Sequence, residues 1–212
     1  MSGPRFITLE GIEGAGKSTA ARHVADVLRQ SGLTVLATRE PGGTPLAERV
    51  RQIALERGTE VLTPVAETLL MFAARALHVN SVIRPALARG EWVVCDRFTD
   101  ATRAYQGSGR GVDAALIESL ARAVHGDLAP DCTLLLDLPV ATGLARARAR
   151  AAAATDRFEA ETVNFFEQVR AGYLDIARRE PARVAVIDAA APLPEVLRRL
   201  DAVLADLAGK SP

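Results

Sequence analysis

Short apolar runs at 6–9, 34–37, 92–95, 133–136 and 184–187 recur along the chain, each of a length that suits a strand buried on both faces. Between them apolar residues return every three or four positions, which predicts helices over 17–30, 45–56, 64–89, 113–124, 140–154, 161–179 and 193–207. Gly32 and Gly90 stand where a residue with positive φ should close two of these helices. Solidly apolar strands alternating with helices predict an α/β fold: a five-stranded parallel sheet with helices on both faces. No repeat or linker composition interrupts the pattern, so one domain spanning 1–212 is expected. The low-complexity tract 146–154 is made of arginine and alanine, both strong helix formers. Thr155-Asp156-Arg157 breaks it, and a mobile segment is expected around 147–160.

Composition narrows the class. Hydrophobic residues make up 49% and charged residues 25%, as in ordinary globular proteins. Lys plus Arg and Asp plus Glu are 26 each, so no global basic field recruits nucleic acid or an anionic membrane. Cys95 and Cys132 sit singly inside apolar runs, which reads as buried thiols and not as a disulfide or metal framework. No apolar stretch approaches the roughly 18 residues of a membrane span, and residues 1–5 lack a signal-like apolar region. A cytoplasmic protein with neither membrane nor nucleic-acid partners is expected.

Chemistry enters at Gly11-Ile12-Glu13-Gly14-Ala15-Gly16-Lys17-Ser18, which fits G-x-x-x-x-G-K-[ST] between a predicted strand and a predicted helix. Glycines with positive φ turn backbone N–H groups inward to cradle an anion, and the helix N-terminus adds about half a positive charge. Lys17 is placed for the β and γ phosphates and the Ser18 hydroxyl for Mg²⁺. Such a loop alone does not choose between motors, GTPases, kinases and other ATPases.

Further stretches carry unusual residues. Thr38-Arg39-Glu40-Pro41-Gly42-Gly43-Thr44 follows the second strand, where ligands bind in open α/β sheets, although the composition also suits a plain Pro-Gly turn. In Leu70-Met71-Phe72-Ala73-Ala74-Arg75, Met71 and Arg75 share a helix face, which reads equally as core stripe plus surface arginine. Val93-Val94-Cys95-Asp96-Arg97-Phe98 ends a strand in a carboxylate and a guanidinium, but Leu134-Leu135-Leu136-Asp137 is just as good a magnesium-strand pattern. In Asp100-Ala101-Thr102-Arg103-Ala104-Tyr105-Gln106-Gly107, Thr102 and Gln106 are four apart with Tyr105 beside them.

Taken together, from position 6 to about 189, these stretches resemble the thymidylate kinase family in order and spacing. The resemblance implies a phosphate-loop fold of the nucleoside-monophosphate-kinase type, ATP as phosphoryl donor with Mg²⁺, and dTMP as acceptor. It assigns ATP to the loop from Gly11 to Ser18 with Thr19 and Arg146. It assigns dTMP to Glu40, Pro41, Arg51, Met71, Phe72, Arg75, Arg97, Thr102, Tyr105 and Gln106. Arg51, twelve residues past Arg39, would meet the dTMP phosphate, and Arg75 the base. The chain departs from the family in placing Met71 where an aromatic residue usually stacks on thymine; Met71 is expected to cover the base, with Phe72 lining the site or packing behind it. Tyr105 would crowd the sugar 2′ position and Glu13 would accept the 3′-hydroxyl. Ser18 and Asp96 would serve the metal, leaving Asp137 structural. None of positions 12–15 is basic, so the resemblance places the transition-state charge on arginines of a lid: Arg146, Arg150 and Arg157, with Arg148 less favoured.

The expected catalytic set is thus Lys17, Arg97, Arg150 and Arg157. A phosphate acceptor is already anionic at neutral pH, which agrees with the lack of any histidine constellation around His23, His78 and His125. The rivals are another nucleotide or nucleoside kinase of the same fold and a phosphate-loop ATPase that transfers nothing. Family members are commonly homodimers, and the 64–89 helix is a candidate for that face.

Overall fold

A computed structural model of the chain describes residues 5–56, 61–150 and 161–209. All five strands pair in parallel in the order β2-β3-β1-β4-β5: β1 is Phe6–Glu10, β2 Val35–Arg39, β3 Trp92–Asp96, β4 Cys132–Asp137 and β5 Val184–Asp188. The three inner strands are buried almost throughout, whereas β2 and β5 at the edges are only partly covered. Both faces are roofed by helices, as the unbroken apolar runs require. Along β1 and β3, Phe6, Val93 and Cys95 pack with Val79, Ile83 and Ala86, while Ile7, Leu9, Trp92 and Val94 enter the larger cluster with Ala20, Val24 and Leu28.

The helices are α1 (Lys17–Gln30), α2 (Pro45–Leu55), α3 (Pro64–His78), α4 (Arg84–Ala88), α5 (Thr99–Thr102), α6 (Ala114–His125), α7 (Val140–Arg150), α8 (Val163–Arg179) and α9 (Leu193–Gly209). Local chemistry fixes several starts: the side chains of Thr44, Thr63, Asp113 and Thr162 accept from the first-turn amides of α2, α3, α6 and α8. Proline at the first position of α2 and α3 needs no amide partner there. The helix expected over 64–89 is continuous in space but passes through a π-helical turn at Val79–Ile83. A second π-helical segment, Arg103–Gly109, extends α5 in a region where no helix is predicted from the pattern. The part of the 140–154 helix beyond 150 lies outside the described residues.

Candidate active site

Both the loop after β1 and the loop after β3 leave the sheet at its carboxyl end, next to each other because β1 and β3 are neighbours. Gly11, Gly14 and Gly16 have φ of 137°, 76° and 90°. A side chain at Gly11 would run into the carbonyl of Leu136, and one at Gly14 into that of Gly143, so the loop tolerates only glycine there. Lys17 donates from Nζ to the carbonyls of Gly11 (3.0 Å) and Ile12 (2.9 Å). Burial, then the nearby Arg97, push its pKa down to about 8, with Glu13, Asp96 and Glu10 opposing. Ser18 Oγ donates to Asp96 Oδ2 at 3.1 Å, and Asp96 Oδ1 is buried with no hydrogen-bond partner. Thr19 is exposed on the first turn of α1.

Arg97 carries the sharpest backbone feature, φ of 74°, the left-handed region that non-glycine residues seldom enter. Three contacts hold the turn: Arg97 N donates to Leu9 O (2.9 Å), Phe98 N to Glu10 Oε1 (2.7 Å), and Cys95 Sγ to Arg97 O (3.0 Å). The side chain thereby swings toward the phosphate loop. Its Nη2 donates to Glu13 Oε1 and to Tyr105 Oη, both at 2.9 Å, and its Nη1 to Tyr173 Oη at 3.2 Å. Tyr105 Oη donates to Glu13 Oε2 at 2.6 Å and Tyr173 Oη to Glu10 Oε2 at 2.7 Å. Glu10 is fully enclosed. Burial and then Asp100 push its pKa up to about 7, against the pull of Arg97, Tyr173 and the Phe98 amide.

Beyond Arg97 opens a cavity walled by Glu13, Glu40, Pro41, Arg51, Leu55, Met71, Arg75, Arg97, Ala101, Thr102, Tyr105 and Gln106. Residues from the phosphate loop, the β2 loop, α2, α3 and the α5 region, far apart in sequence, thus meet at one hollow. Arg75 is anchored on every side: Nε donates to Glu40 Oε2 (2.7 Å), Nη1 and Nη2 to Thr102 Oγ1 (3.1 Å each), and Nη2 to Phe98 O (3.1 Å). Arg51 Nη1 donates to Pro41 O at 3.0 Å. Of the acceptor residues expected from the sequence, Phe72 alone is absent from the wall. One helical step turns it away from the Met71–Arg75 face, into a cluster with Val112, Ile117 and Ala121, where its ring lies 4.9 Å from the Arg75 guanidinium.

His78 is part of the scaffold behind this wall. Its Nδ1 lies 3.0 Å from Glu40 Oε1 and its Nε2 2.7 Å from Thr38 Oγ1, so Glu40 is gripped by Arg75 and His78 together. Asp137 differs from Asp96 in having both oxygens engaged, by Arg170 Nε (2.7 Å) and Nη2 (2.9 Å). Arg146 Nη1 donates to Ala189 O at 2.8 Å and borders a second hollow with Ala15, Gly16, Ala20, Leu136, Ala191 and Leu193, beside the phosphate loop. Arg157, the Arg150 side chain and the 151–160 part of the expected lid lie outside the described residues.

Four residues of the site are not singled out in the sequence: Glu10, Glu67, His78 and Tyr173. Glu10 had a local sign, a carboxylate closing an apolar strand immediately before the loop. Glu67 had another, because 67, 71 and 75 fall on one face of α3. His78 and Tyr173 had none, since their partners lie about 40 and 160 residues away.

Comparison with known proteins adds an independent finding on the chain as a whole. A family model described as thymidylate kinase matches residues 9–200. The chain is 59% identical over 199 residues to the thymidylate kinase of Pseudomonas putida (strain W619), covering 94% of this chain and 95% of the relative. It is 54% identical over 205 residues to that of Alkalilimnicola ehrlichii (strain ATCC BAA-1101 / DSM 17681 / MLHE-1), covering 97% and 94%. Among solved structures, the thymidylate kinase from Ehrlichia chaffeensis matches with a TM-score of 0.76 and 35% identity, over 95% of this chain and 99% of that one.

Proposed function

The chain belongs to the thymidylate kinase family, and from that premise we propose how its own residues divide the family's reaction between them. It is an ATP:dTMP phosphotransferase that moves the γ-phosphoryl group of ATP to dTMP, giving dTDP. One observation carries the assignment of roles. Glu13, inside the loop that takes the donor, is also a wall of the cavity across Arg97. Donor and acceptor sites therefore share a boundary, as in-line transfer demands.

Inward amides of the phosphate loop and Lys17 bind the β and γ phosphates, which replace the two carbonyls that Lys17 now holds. Arg97 faces the acceptor phosphate from its seat among Glu13, Tyr105 and Tyr173, and Arg51 approaches the same ligand from α2. Arg75, Thr102 and Gln106 meet the base, with Met71 against its face and Phe72 supporting Arg75 from behind. Glu13 and Tyr105 border the sugar, and Glu40 and Pro41 complete the wall. Adenine fits the hollow beside Arg146. Because the acceptor oxygen is already anionic, no strong base is needed, and catalysis rests on positioning and on cationic donors aimed at developing charge. Arg150 and Arg157 are assigned to that charge from the sequence, positions 12–15 being without a cation.

Mg²⁺ suits the residues present, since the unpaired Asp96 Oδ1 and the Ser18 hydroxyl form the hard oxygen set such an ion prefers. When bound it would offset charge on the β and γ phosphate oxygens. The exposed aliphatics Leu46 and Ile53 of α2 and Val65 and Leu69 of α3 support a homodimer formed through these helices. Among the described residues no helix is long and apolar enough to cross a membrane, and a cytoplasmic setting is part of the same proposal.

The test is a coupled ATP assay over dTMP, dUMP, dCMP and thymidine. dTMP is expected to give the highest kcat/KM, with only slow ATP hydrolysis when no acceptor is added. Rapid hydrolysis indifferent to dTMP would overturn the reading.

A further inference from the structure

Glu67 lies in the first turn of α3 and is buried. Its Oε1 accepts from Gln106 Nε2 at 2.7 Å, and its Oε2 lies 3.5 Å from Arg110 Nε. Arg110 is held in turn by Glu161 at 2.6 Å and by the ring of Phe165, 4.6 Å from the guanidinium. A carboxylate facing a guanidinium accepts hydrogen bonds and donates none. The Gln106 amide is therefore left with one orientation, its NH₂ toward Glu67 and its oxygen away from it. Gln106 lines the acceptor cavity, and among the described residues its amide donates to Glu67 while no protein donor engages its oxygen. On the same wall Arg75, fixed by Glu40, Thr102 and Phe98, keeps one N–H of Nη1 uncommitted.

We propose that Glu67 is a specificity-determining positioning residue: by locking the Gln106 amide with its oxygen toward the cavity, it selects a pyrimidine that shows a ring N–H beside a carbonyl. The inference rests on the reading that this cavity takes dTMP. Thymine and uracil present N3–H next to O4, complementary to the Gln106 oxygen and the remaining Arg75 Nη1 donor. Cytosine presents a bare N3 next to an amino group, which sets acceptor against acceptor and donor against donor. Turned over, the same glutamine would pair with cytosine N3, so the amide carries selectivity only while something prevents the turn. Mismatched buried polar groups discriminate far more strongly than shape does.

Glu67→Gln keeps the side-chain shape but offers Gln106 either an oxygen or an NH₂, which frees the amide to turn. The ratio of kcat/KM for dTMP over dCMP is expected to fall at least about tenfold, with the KM for ATP unchanged. The exchanged pair, Glu67→Gln with Gln106→Glu, restores an oxygen facing the cavity and should recover most of that ratio. A ratio unaltered in Glu67→Gln, or an equal loss for both acceptors, reduces Glu67 to a structural role and overturns the inference. If Glu67→Gln alone does not fold, the exchanged pair decides: a dTMP preference near that of the natural protein supports the lock, and a lost preference overturns it. Failure of the natural protein to phosphorylate dTMP would instead count against the assigned reaction.

Discussion

At the scale of single residues, the phosphate loop was legible because everything it needs is local. Eight consecutive positions supply the turn, the cation and the hydroxyl. Glu10 shows the limit of such reading, since what it does depends on Phe98, Asp100 and Tyr173, which only the fold brings to it. Its position predicts a measurable pH dependence. In the unfolded chain the carboxyl should ionise near 4.5, whereas in the folded protein it ionises near 7. Between those values the folded state keeps a proton that the unfolded state has released. The stabilising contribution is therefore full below about pH 4.5, is lost as pH rises toward 7, and is flat above that, with a slope of at most about 1.4 kcal/mol per pH unit. Glu10→Gln removes this dependence. Urea unfolding from pH 5 to 8 should show the stability of the natural protein, relative to the variant, declining with pH and then levelling off. A constant difference across the range would refute the assignment.

Among elements, the sheet and nearly every helix boundary could be read from periodicity, because inner parallel strands are apolar on both faces and helical stripes repeat over many turns. What periodicity missed is α5 with the π-helical segment Arg103–Gly109, whose conformation depends on α8. Gly172 lies so close to this segment that a side chain there would strike Ser108, and one at Gly109 would meet Phe165 at 2.6 Å. That close approach brings Tyr173 of α8 to Arg97. Tyr173 donates to Glu10 and accepts from Arg97, so its hydroxyl braces a guanidinium whose backbone is already in a disfavoured region. Tyr173→Phe keeps the ring packed edge-on to Tyr105 and removes only the brace. We expect kcat with dTMP to fall about tenfold, the worth of one hydrogen bond to a charged group, with KM for ATP unchanged. It should also cost about 1–3 kcal/mol of stability, because Glu10 loses a buried partner. Unchanged turnover in steady-state assays would exclude the bracing role.

For the whole molecule, the sequence shows that the 64–89 helix is apolar but not whether its outer face meets core or another chain. The fold separates the two. Met71, Phe72, Ala74 and Arg75 turn inward, while Val65 and Leu69 stay 46% and 48% exposed. Leu46 and Ile53 on the adjoining α2 are 50% and 54% exposed, so two neighbouring helices present aliphatic side chains outward together. Single exposed leucines need no explanation, but a row of them on two packed helices is the apolar surface that the proposed homodimer would cover. Helices α2 and α3 also carry Arg51, Met71 and Arg75 on their inner sides, so an interface through their outer faces would stiffen the acceptor wall from behind. Leu69→Glu should therefore disrupt assembly, because it replaces buried apolar area with a charge that must be desolvated. The expected weakening of the dimer is at least about a hundredfold, roughly 3 kcal/mol. Light scattering after size exclusion at micromolar protein should find two chains in the natural protein and one in the variant. The monomer should retain ATP binding at the phosphate loop, which follows β1 and carries none of these four aliphatic side chains, while its KM for dTMP rises. A natural protein that is already monomeric at these concentrations would rule out the dimer, and a monomeric variant with unaltered dTMP kinetics would uncouple the interface from the acceptor wall.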